Sequence, residues 1–243
     1  MDKKIIGQIH SIESMGLNDG PGIRTVVFFQ GCRLRCIYCH NPDTIPFNKG
    51  MEITLEQLIN KIIRFKPYFE TSNGGVTCSG GEPLLQAEFL IEFLKLCKKN
   101  HIHTTLDTTG FGVGRYDEIL KYTDLVLLDI KHVNHRGYRH ICNGDFRELE
   151  IFIEELNRFH IDIWVRHVVV PGLTDNEEHI KKLNEIINTI DNVKKVELLP
   201  YHTLGVHKYK SMNMEYKLAG IKDMDREIVR RLEKKVIIDN YSK

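Results

Sequence analysis

No stretch of this chain approaches the roughly 18 consecutive apolar residues that a membrane-spanning helix needs, and its first residues, MDKKIIGQIHSIES, lack the apolar core and small-residue cleavage site of an export signal. A cytoplasmic location is therefore expected. No charge of one sign dominates: 34 Lys and Arg stand against 33 Asp and Glu, a net of +1, so no bulk field points to nucleic acid or to a membrane surface as partner. Gly/Ser-rich and Pro-rich linkers, low-complexity tracts and internal repeats are all missing from the 243 residues. That length suffices for one large domain with a substantial core, and a single domain over residues 1–243 is expected. Cysteine is scarce, six in all, and in a reducing compartment those six are not expected to pair. Their distribution is uneven. Cys32, Cys36 and Cys39 lie within eight residues of one another, whereas Cys78, Cys97 and Cys142 are scattered.

What is present in quantity is alternation. Apolar, β-branched runs of strand length recur at IRTVVFF, GGVTCS, IHTTLD, DLVLLDI, IDIWVRHVVV and VKKVELL. Between them lie segments with helical spacing: TLEQLINKIIRF, with Leu55, Leu58, Ile59, Ile62 and Ile63 on one face, then QAEFLIEFLKLCKK, a short RYDEILKY, DFRELEIFIEELNRF and NEEHIKKLNEIINTI. Such alternation predicts an α/β fold of parallel strands joined by right-handed crossovers. Residues 201–243 are less regular, with a helix expected near MDREIVRRLEKK and a last strand at VIIDN. Periodicity does not separate an open doubly wound sheet from a barrel or a partial barrel. In each, functional groups gather at the C-terminal ends of the strands.

The three clustered cysteines follow the first of those strands in GCRLRCIYCHN, spaced C-x3-C-x2-C. Thiolates this close on one loop suit a soft metal centre, and three of them would leave one iron of a cubane without a protein ligand. Gly31 permits tight backbone there, and Arg33 and Arg35 offset thiolate charge. A Cys3His zinc site completed by His40 is the competing reading, although zinc usually draws its ligands from two separate knuckles. Cys97 sits on an apolar helix stripe and Cys78 in a strand, both expected to pack in the core; Cys142, in RHICNG, has no evident partner.

The segment DGPGIRTVVFFQGCRLRCIYCHN resembles the radical S-adenosylmethionine (SAM) superfamily, with Tyr38 as the aromatic residue before the third cysteine. Asp19 to Gly22, Arg24, His40 and Asn41 extend the likeness to the glycyl-radical activating enzymes. The likeness covers nearly the whole chain and favours the branch that acts on pyruvate formate-lyase. Two further four-cysteine clusters, carried by activators of several other glycyl-radical enzymes, are missing, and activators of anaerobic ribonucleotide reductase are usually shorter. The resemblance implies a partial (β/α)6 barrel with outer helices. It implies a [4Fe-4S] cluster on Cys32, Cys36 and Cys39, SAM bound at the open iron, and an electron donor such as flavodoxin or ferredoxin. It also implies that SAM is contacted by Tyr38, Cys39, His40, Gly80, Gly81, Glu82, Asp129, Ile130, Lys131 and His202, and that Asp107, Thr108 and Asp129 hold a monovalent cation. Arg166, alternating with buried neighbours in VRHVVVPG, is read either as a further SAM contact or as half of a structural ion pair. TTG at Thr108 to Gly110 departs from the TNG more common in that family. Within the N-terminal segment, about residues 1–22, Asp19, Gly20 and Gly22, with Arg24 just beyond, are expected to grip the partner's glycine loop.

Overall fold

The computed structural model describes residues 4–238, in two compact units that interleave along the sequence. The first comprises the residues up to Arg33 and Thr44–Leu127. It contains β1 (Ile6–Gly16), β2 (Arg24–Phe29), β3 (Met51–Thr54), α1 (Leu55–Ile63), α2 (Lys66–Ser72), β4 (Gly75–Gly80), α3 (Ala87–Lys99), β5 (His103–Thr108), α4 (Tyr116–Leu120) and the start of β6 (Leu125–Asp129). Its strand order is β3-β1-β2-β4-β5-β6. The β2/β4 and β4/β5 pairs are parallel, and β1 runs antiparallel to both β2 and β3. The second unit, Leu34–Asp43 with Leu128 onward, holds the end of β6, α5 (His135–Cys142), α6 (Phe146–Leu156), β7 (Asp162–Val169), α7 (Glu177–Ile187), β8 (Val193–Pro200), α8 (Val206–Ser211) and α9 (Arg226–Glu233). Its strands run in the order β6-β7-β8, with β7 and β8 parallel. Neither order closes on itself, and parallel strands with helical crossovers prevail in both.

All six expected strands are present. Val26, Val27 and Phe29 of β2, Val76 and Cys78 of β4 and Leu125 to Leu128 of β6 are buried, as continuous apolar runs in a helix-covered parallel sheet require. The expected helices form too. Thr54 opens α1 through a capping box with Gln57, which satisfies two otherwise unpaired groups of the first turn. Leu58, Ile59 and Ile62 of that helix are buried, but Ile63 is exposed. In SGGEP, β4 runs through Ser79 and Gly80, and Pro83–Gln86 makes a 3₁₀ turn before α3 begins. No strand forms over Val236 to Ile238; Asp239 and Asn240 of VIIDN lie outside the described residues.

Five elements were not expected: β1, β3, α2, α5 and α8. Among the described residues of the N-terminal segment, Ile6 to Gly16 are thus a sheet strand, and Leu17 to Gly22 form a loop. Cys78 and Cys97 are fully buried, as expected.

The second unit buries an unusual polar group beside β7. His179 Nε2–H donates to His167 Nε2 at 3.1 Å, and His167 Nδ1–H donates to Ile130 O at 2.7 Å. Burial, with neighbouring histidines, pushes His179 down to about 3 and His167 down to about 4. Both rings are therefore neutral in the fold, whereas an unfolded histidine takes a proton below about 6.5. The stabilisation is complete above that value and is lost as pH falls toward the folded values. Acidification from about pH 7 to about pH 5 should remove on the order of 2 kcal/mol per histidine. In urea unfolding, a His179→Leu variant should show a shallower loss of stability between those two pH values than the parent.

Candidate functional site

In the first unit the chain enters the cysteine loop from β2 on a fixed path. Gly31 N–H donates to Thr44 O at 2.7 Å and Cys32 N–H to Ile45 O at 3.1 Å, and Arg33 Nη2 donates to Gly112 O at 2.8 Å. The GGEP turn is bound to the same stretch: Gly81 N–H donates to Phe29 O and Glu82 N–H to Gly31 O, each at 2.9 Å. A Cβ at Gly81 would lie 2.2 Å from Gly31 O and 2.9 Å from Thr44 O, so only glycine permits this approach.

Glu82 is 1% exposed. Its carboxylate accepts from Leu84 N–H at 3.2 Å, Thr108 Oγ1–H at 2.5 Å, Thr109 N–H at 2.9 Å and Thr109 Oγ1–H at 2.6 Å. Burial pushes its pKa up against these hydrogen bonds. Glu82 was expected among the SAM contacts; here it is an internal tie from the turn to the end of β5. The same contacts explain the departure at TTG, because Thr109 serves Glu82 with both backbone and side chain. Thr108 is engaged as well, since its oxygen also accepts from Gly110 N–H at 3.0 Å. Of the expected cation holders in this unit, Asp107 is the more open, with Oδ2 accepting from Ser79 Oγ–H at 2.6 Å.

Arg24 also departs from expectation. It is wholly buried, and burial pushes its pKa down to about 10. The guanidinium donates to Thr77 Oγ1 at 3.0 Å, to Thr105 Oγ1 at 2.7 Å and to Val76 O. Thr77 Oγ1–H in turn donates to Asp19 O at 2.7 Å. A side chain with no exposed surface cannot grip a docking protein. Arg24 instead holds the DGPG turn, in which Gly22 has φ +65° and a Cβ would meet Ser72 O at 2.3 Å. Asp19 is half-buried and Gly20 is buried.

In the second unit the rest of the cysteine loop rests on α5. Asn134 caps the start of that helix by accepting from Gly137 N–H at 2.8 Å, and Asn143, at φ 54°, ends it. The last carbonyls of a helix have no partner within it. Here loop amides supply two: Arg35 N–H donates to Cys142 O at 2.7 Å and Ile37 N–H to Ile141 O at 2.8 Å. Cys142, partnerless in the sequence, is buried with its thiol against Cys36 and also 3.1 Å from Tyr138 O. The hydrogen bond from Cys142 holds the Cys36 thiol below the ordinary range and, with burial, pushes the Cys142 thiol up. Cys39 is pushed up to about 12, first by burial and then by Cys36. Tyr209 Oη–H donates to Cys39 O at 3.0 Å, and Lys208 Nζ donates to Asn41 Oδ1 at 3.0 Å beside Asp43.

The strand-end segment after β6 faces this loop. Lys131 pairs with Asp129 at 3.0 Å and stands 6.0 Å from the Tyr38 ring centroid. Burial opposes the Lys131 charge, but Asp129, Tyr38 and Cys36 together hold its pKa well above the usual lysine value. Ile130 is fully buried. The ring of His40 stacks on His202 with centroids 4.0 Å apart, and His40 Nε2–H donates to His202 O at 3.0 Å. Burial pushes His40 down. Arg166, read either as a SAM contact or as half of a structural ion pair, pairs with Glu197 across β7 and β8 at 3.1 Å.

Two buried polar atoms here have no hydrogen-bond partner among the described residues: Tyr38 Oη and His202 Nδ1. Such orphans are rare in finished interiors, and they fit a polar ligand that brings its own donors and acceptors. Three thiols on a loop anchored through its backbone fit an iron–sulfur cluster. The zinc reading fares worse, because a single ion needs its donors on one point. Among the described residues no three His, Cys, Asp or Glu side chains are so arranged, and His40 has Nε2 directed at His202 O. Thr109, Cys142, Lys208 and Tyr209 were missed from the sequence; the Asn143-Gly144 pair after RHIC was the one signal for the end of α5.

Comparison with known proteins matches residues 26–183 to the family described as the Radical SAM superfamily. The chain is 60% identical over 230 residues, 95% of its own length and 97% of the other's, to the pyruvate formate-lyase-activating enzyme of Clostridium pasteurianum. It is 46% identical over 242 residues, 98% and 97% of the two chains, to pyruvate formate-lyase 1-activating enzyme of Escherichia coli strain K12. Among solved structures, a radical SAM methyltransferase from Sphaerobacter thermophilus shares the fold at TM-score 0.62 and 13% identity, covering 95% of this chain and 74% of that one. A domain of pyruvate-formate lyase-activating enzyme from Bacteroides vulgatus superposes at TM-score 0.55 and 25% identity, over 67% of this chain and 92% of that one.

Proposed function

Since the chain belongs to the radical SAM superfamily, we propose that it activates pyruvate formate-lyase by generating a glycyl radical on it, working as one catalytic domain over residues 1–243. The observation that carries this reading is the coincidence, in one chain, of the C-x3-C-x2-C loop and near full-length likeness to proteins named for that activation. Cys32, Cys36 and Cys39 hold a [4Fe-4S] cluster. When bound, that cluster supplies the electron that cleaves SAM to methionine and a 5′-deoxyadenosyl radical, which takes a hydrogen atom from a glycine Cα of the partner.

The chain's own residues position and enclose. Gly80 and Gly81 leave the main chain bare of Cβ atoms where the SAM amino group is to approach. Lys131, kept charged by Asp129, lies along the loop that carries Cys36 and Tyr38. His202 offers its orphaned Nδ1 to SAM, with its ring held by His40. Asp107 and Asp129 are the carboxylates we assign to a monovalent cation. Asp19, Gly20 and Gly22 are those we assign to the partner's extended loop, with Arg24 behind them. The electron donor we assign is a flavodoxin or ferredoxin, in the cytoplasm. No described helix is long and apolar enough to cross a membrane.

Mixing the reduced, iron-loaded protein with SAM and pyruvate formate-lyase without oxygen should give a glycyl radical by electron paramagnetic resonance, and later exposure to oxygen should cut the partner at that glycine. SAM cleavage with no radical on pyruvate formate-lyase, but with one on another glycyl-radical enzyme, would overturn the choice of partner. His202→Ala should weaken SAM binding about tenfold or more, the worth of a hydrogen bond to a charged group, while iron content is unchanged. Anaerobic calorimetry measures the first and iron analysis the second.

A further inference from the structure

The segment just after β6 has its backbone polar groups met by partners from three directions. Ile130, fully buried, donates its N–H to Arg166 O at 3.0 Å. Its carbonyl accepts from His167 Nδ1–H at 2.7 Å, and Lys131 N–H donates to Tyr138 Oη at 3.0 Å. Ile130 O and Lys131 N–H belong to one planar peptide unit. Both polar ends of that plane are therefore held by side chains, one from β7 and one from α5. Asp129 and Lys131 flank Ile130 in the chain and pair with each other at 3.0 Å.

The acceptor at Ile130 fixes the tautomer of the ring that meets it. A carbonyl oxygen only accepts, so His167 carries a hydrogen on Nδ1. The contact between the two Nε2 atoms of His167 and His179, at 3.1 Å, needs one nitrogen without hydrogen. His167 Nε2 takes that part, and His179, in the first turn of α7, donates. His132, next after Lys131, sets its ring edge-on against that of His179, with centroids 4.7 Å apart. The histidine pair thus touches the chain at Ile130 and again at His132, on both sides of Lys131. A peptide plane held at both ends keeps its direction. Without the donor from His167 it would be held at Lys131 N–H alone, and the Ile130 carbonyl would be buried unmatched.

Resting on the reading that Asp129 and Lys131 meet SAM, we propose that His167 is a positioning residue for SAM binding. Its Nδ1–H fixes the Ile130–Lys131 peptide, and through that peptide the aim of the Asp129 and Lys131 side chains. It acts without touching SAM, and His179 keeps it in place by meeting the opposite nitrogen.

The test is anaerobic calorimetry of the iron-loaded, full-length protein with SAM, alongside iron analysis. Asn and Gln replace different nitrogens of histidine, because the amide of Asn lies as many bonds from Cα as Nδ1 and that of Gln as many as Nε2. His167→Asn should bind SAM within about twofold of the parent, whereas His167→Gln and His167→Leu should each bind about tenfold more weakly, the worth of a hydrogen bond left unmade. All three should keep the parent's iron. A role in packing alone predicts the reverse order, since Gln is nearer to His in size than Asn is. His167→Asn as weak as His167→Gln, or Gln and Leu variants that bind like the parent, overturns the proposal. Lys131→Met tests the reading beneath it. If that variant binds SAM like the parent, the segment does not meet SAM and the proposal falls with the reading; if it binds weakly while His167→Gln is parent-like, the reading stands and the proposal alone falls. In the parent protein, nitrogen-15 shifts of the imidazoles should place the His167 hydrogen on Nδ1. A hydrogen on Nε2 overturns the proposal even where no variant folds.

Discussion

A Cys36→Ala protein should fold, lose its iron and sulfide, and yield no methionine from SAM. Three thiolates are the whole protein contribution to the cluster we assign, and removing one leaves two sulfurs for a centre that needs three. The scaffold should survive because the backbone holds the loop. Arg35 N–H and Ile37 N–H bond to the end of α5, Tyr209 holds Cys39 O and Lys208 holds Asn41, and none of these bonds uses the Cys36 side chain. Iron and sulfide analysis, the visible spectrum, methionine release and far-ultraviolet circular dichroism separate loss of metal from loss of fold. Cys97→Ala is the contrast: its thiol is fully buried on α3, so it should cost about 1 kcal/mol of stability and no iron. A Cys36→Ala protein with full iron and activity would remove the cluster from this loop.

Arg24→Leu should have the largest effect on stability, a loss of roughly 3–5 kcal/mol in chemical denaturation. The guanidinium is completely buried and supplies donors to Thr77, Thr105 and Val76 O. Leucine would strand these acceptors away from water, and Asp19 O is linked to the same group through Thr77. Protease cleavage near Leu17 to Gly22 should therefore rise in the variant. If Arg24 served only to contact the partner, stability would stay at the parent's value while activation of pyruvate formate-lyase fell.

How far the fold could be read in the sequence follows from where each element lies. The parallel strands β2, β4, β5, β6, β7 and β8 are legible because strands covered by helices are written as dense apolar and β-branched runs. The antiparallel β1 is not: in IGQIHSIESMG only Gly7 and Ile9 are buried, and Gly, Gln, His and Ser blur the alternation. β3 has four residues, too few for any period. α5 hides for another reason. HRGYRHIC is polar overall, with Tyr138, Ile141 and Cys142 as its buried stripe, and it is held by its end caps and by the loop it supports.

The site divides in the same way. Cysteine spacing is a local property and appears directly in the string, whereas the tasks of Glu82 and Arg24 depend on burial, which depends on the whole sheet. Both residues lie in recognisable motifs, and the motif alone suggests contact with a ligand. The structure puts them behind the surface, where their charges are met from inside. Thr109, the departure at TTG, becomes intelligible only once Glu82 is seen beside it.

The loop from Leu34 to Asp43 is held by hydrogen bonds to α5, Lys208 and Tyr209. Small zinc-dependent modules are different, because in them the ion is the main reason the chain folds at all. Here the main-chain bonds should hold the loop in place after oxygen destroys the centre assigned to it, so the metal-free and loaded proteins should share one far-ultraviolet circular dichroism spectrum. Repair should then consist of returning iron, sulfide and electrons to a standing protein, with no round of refolding.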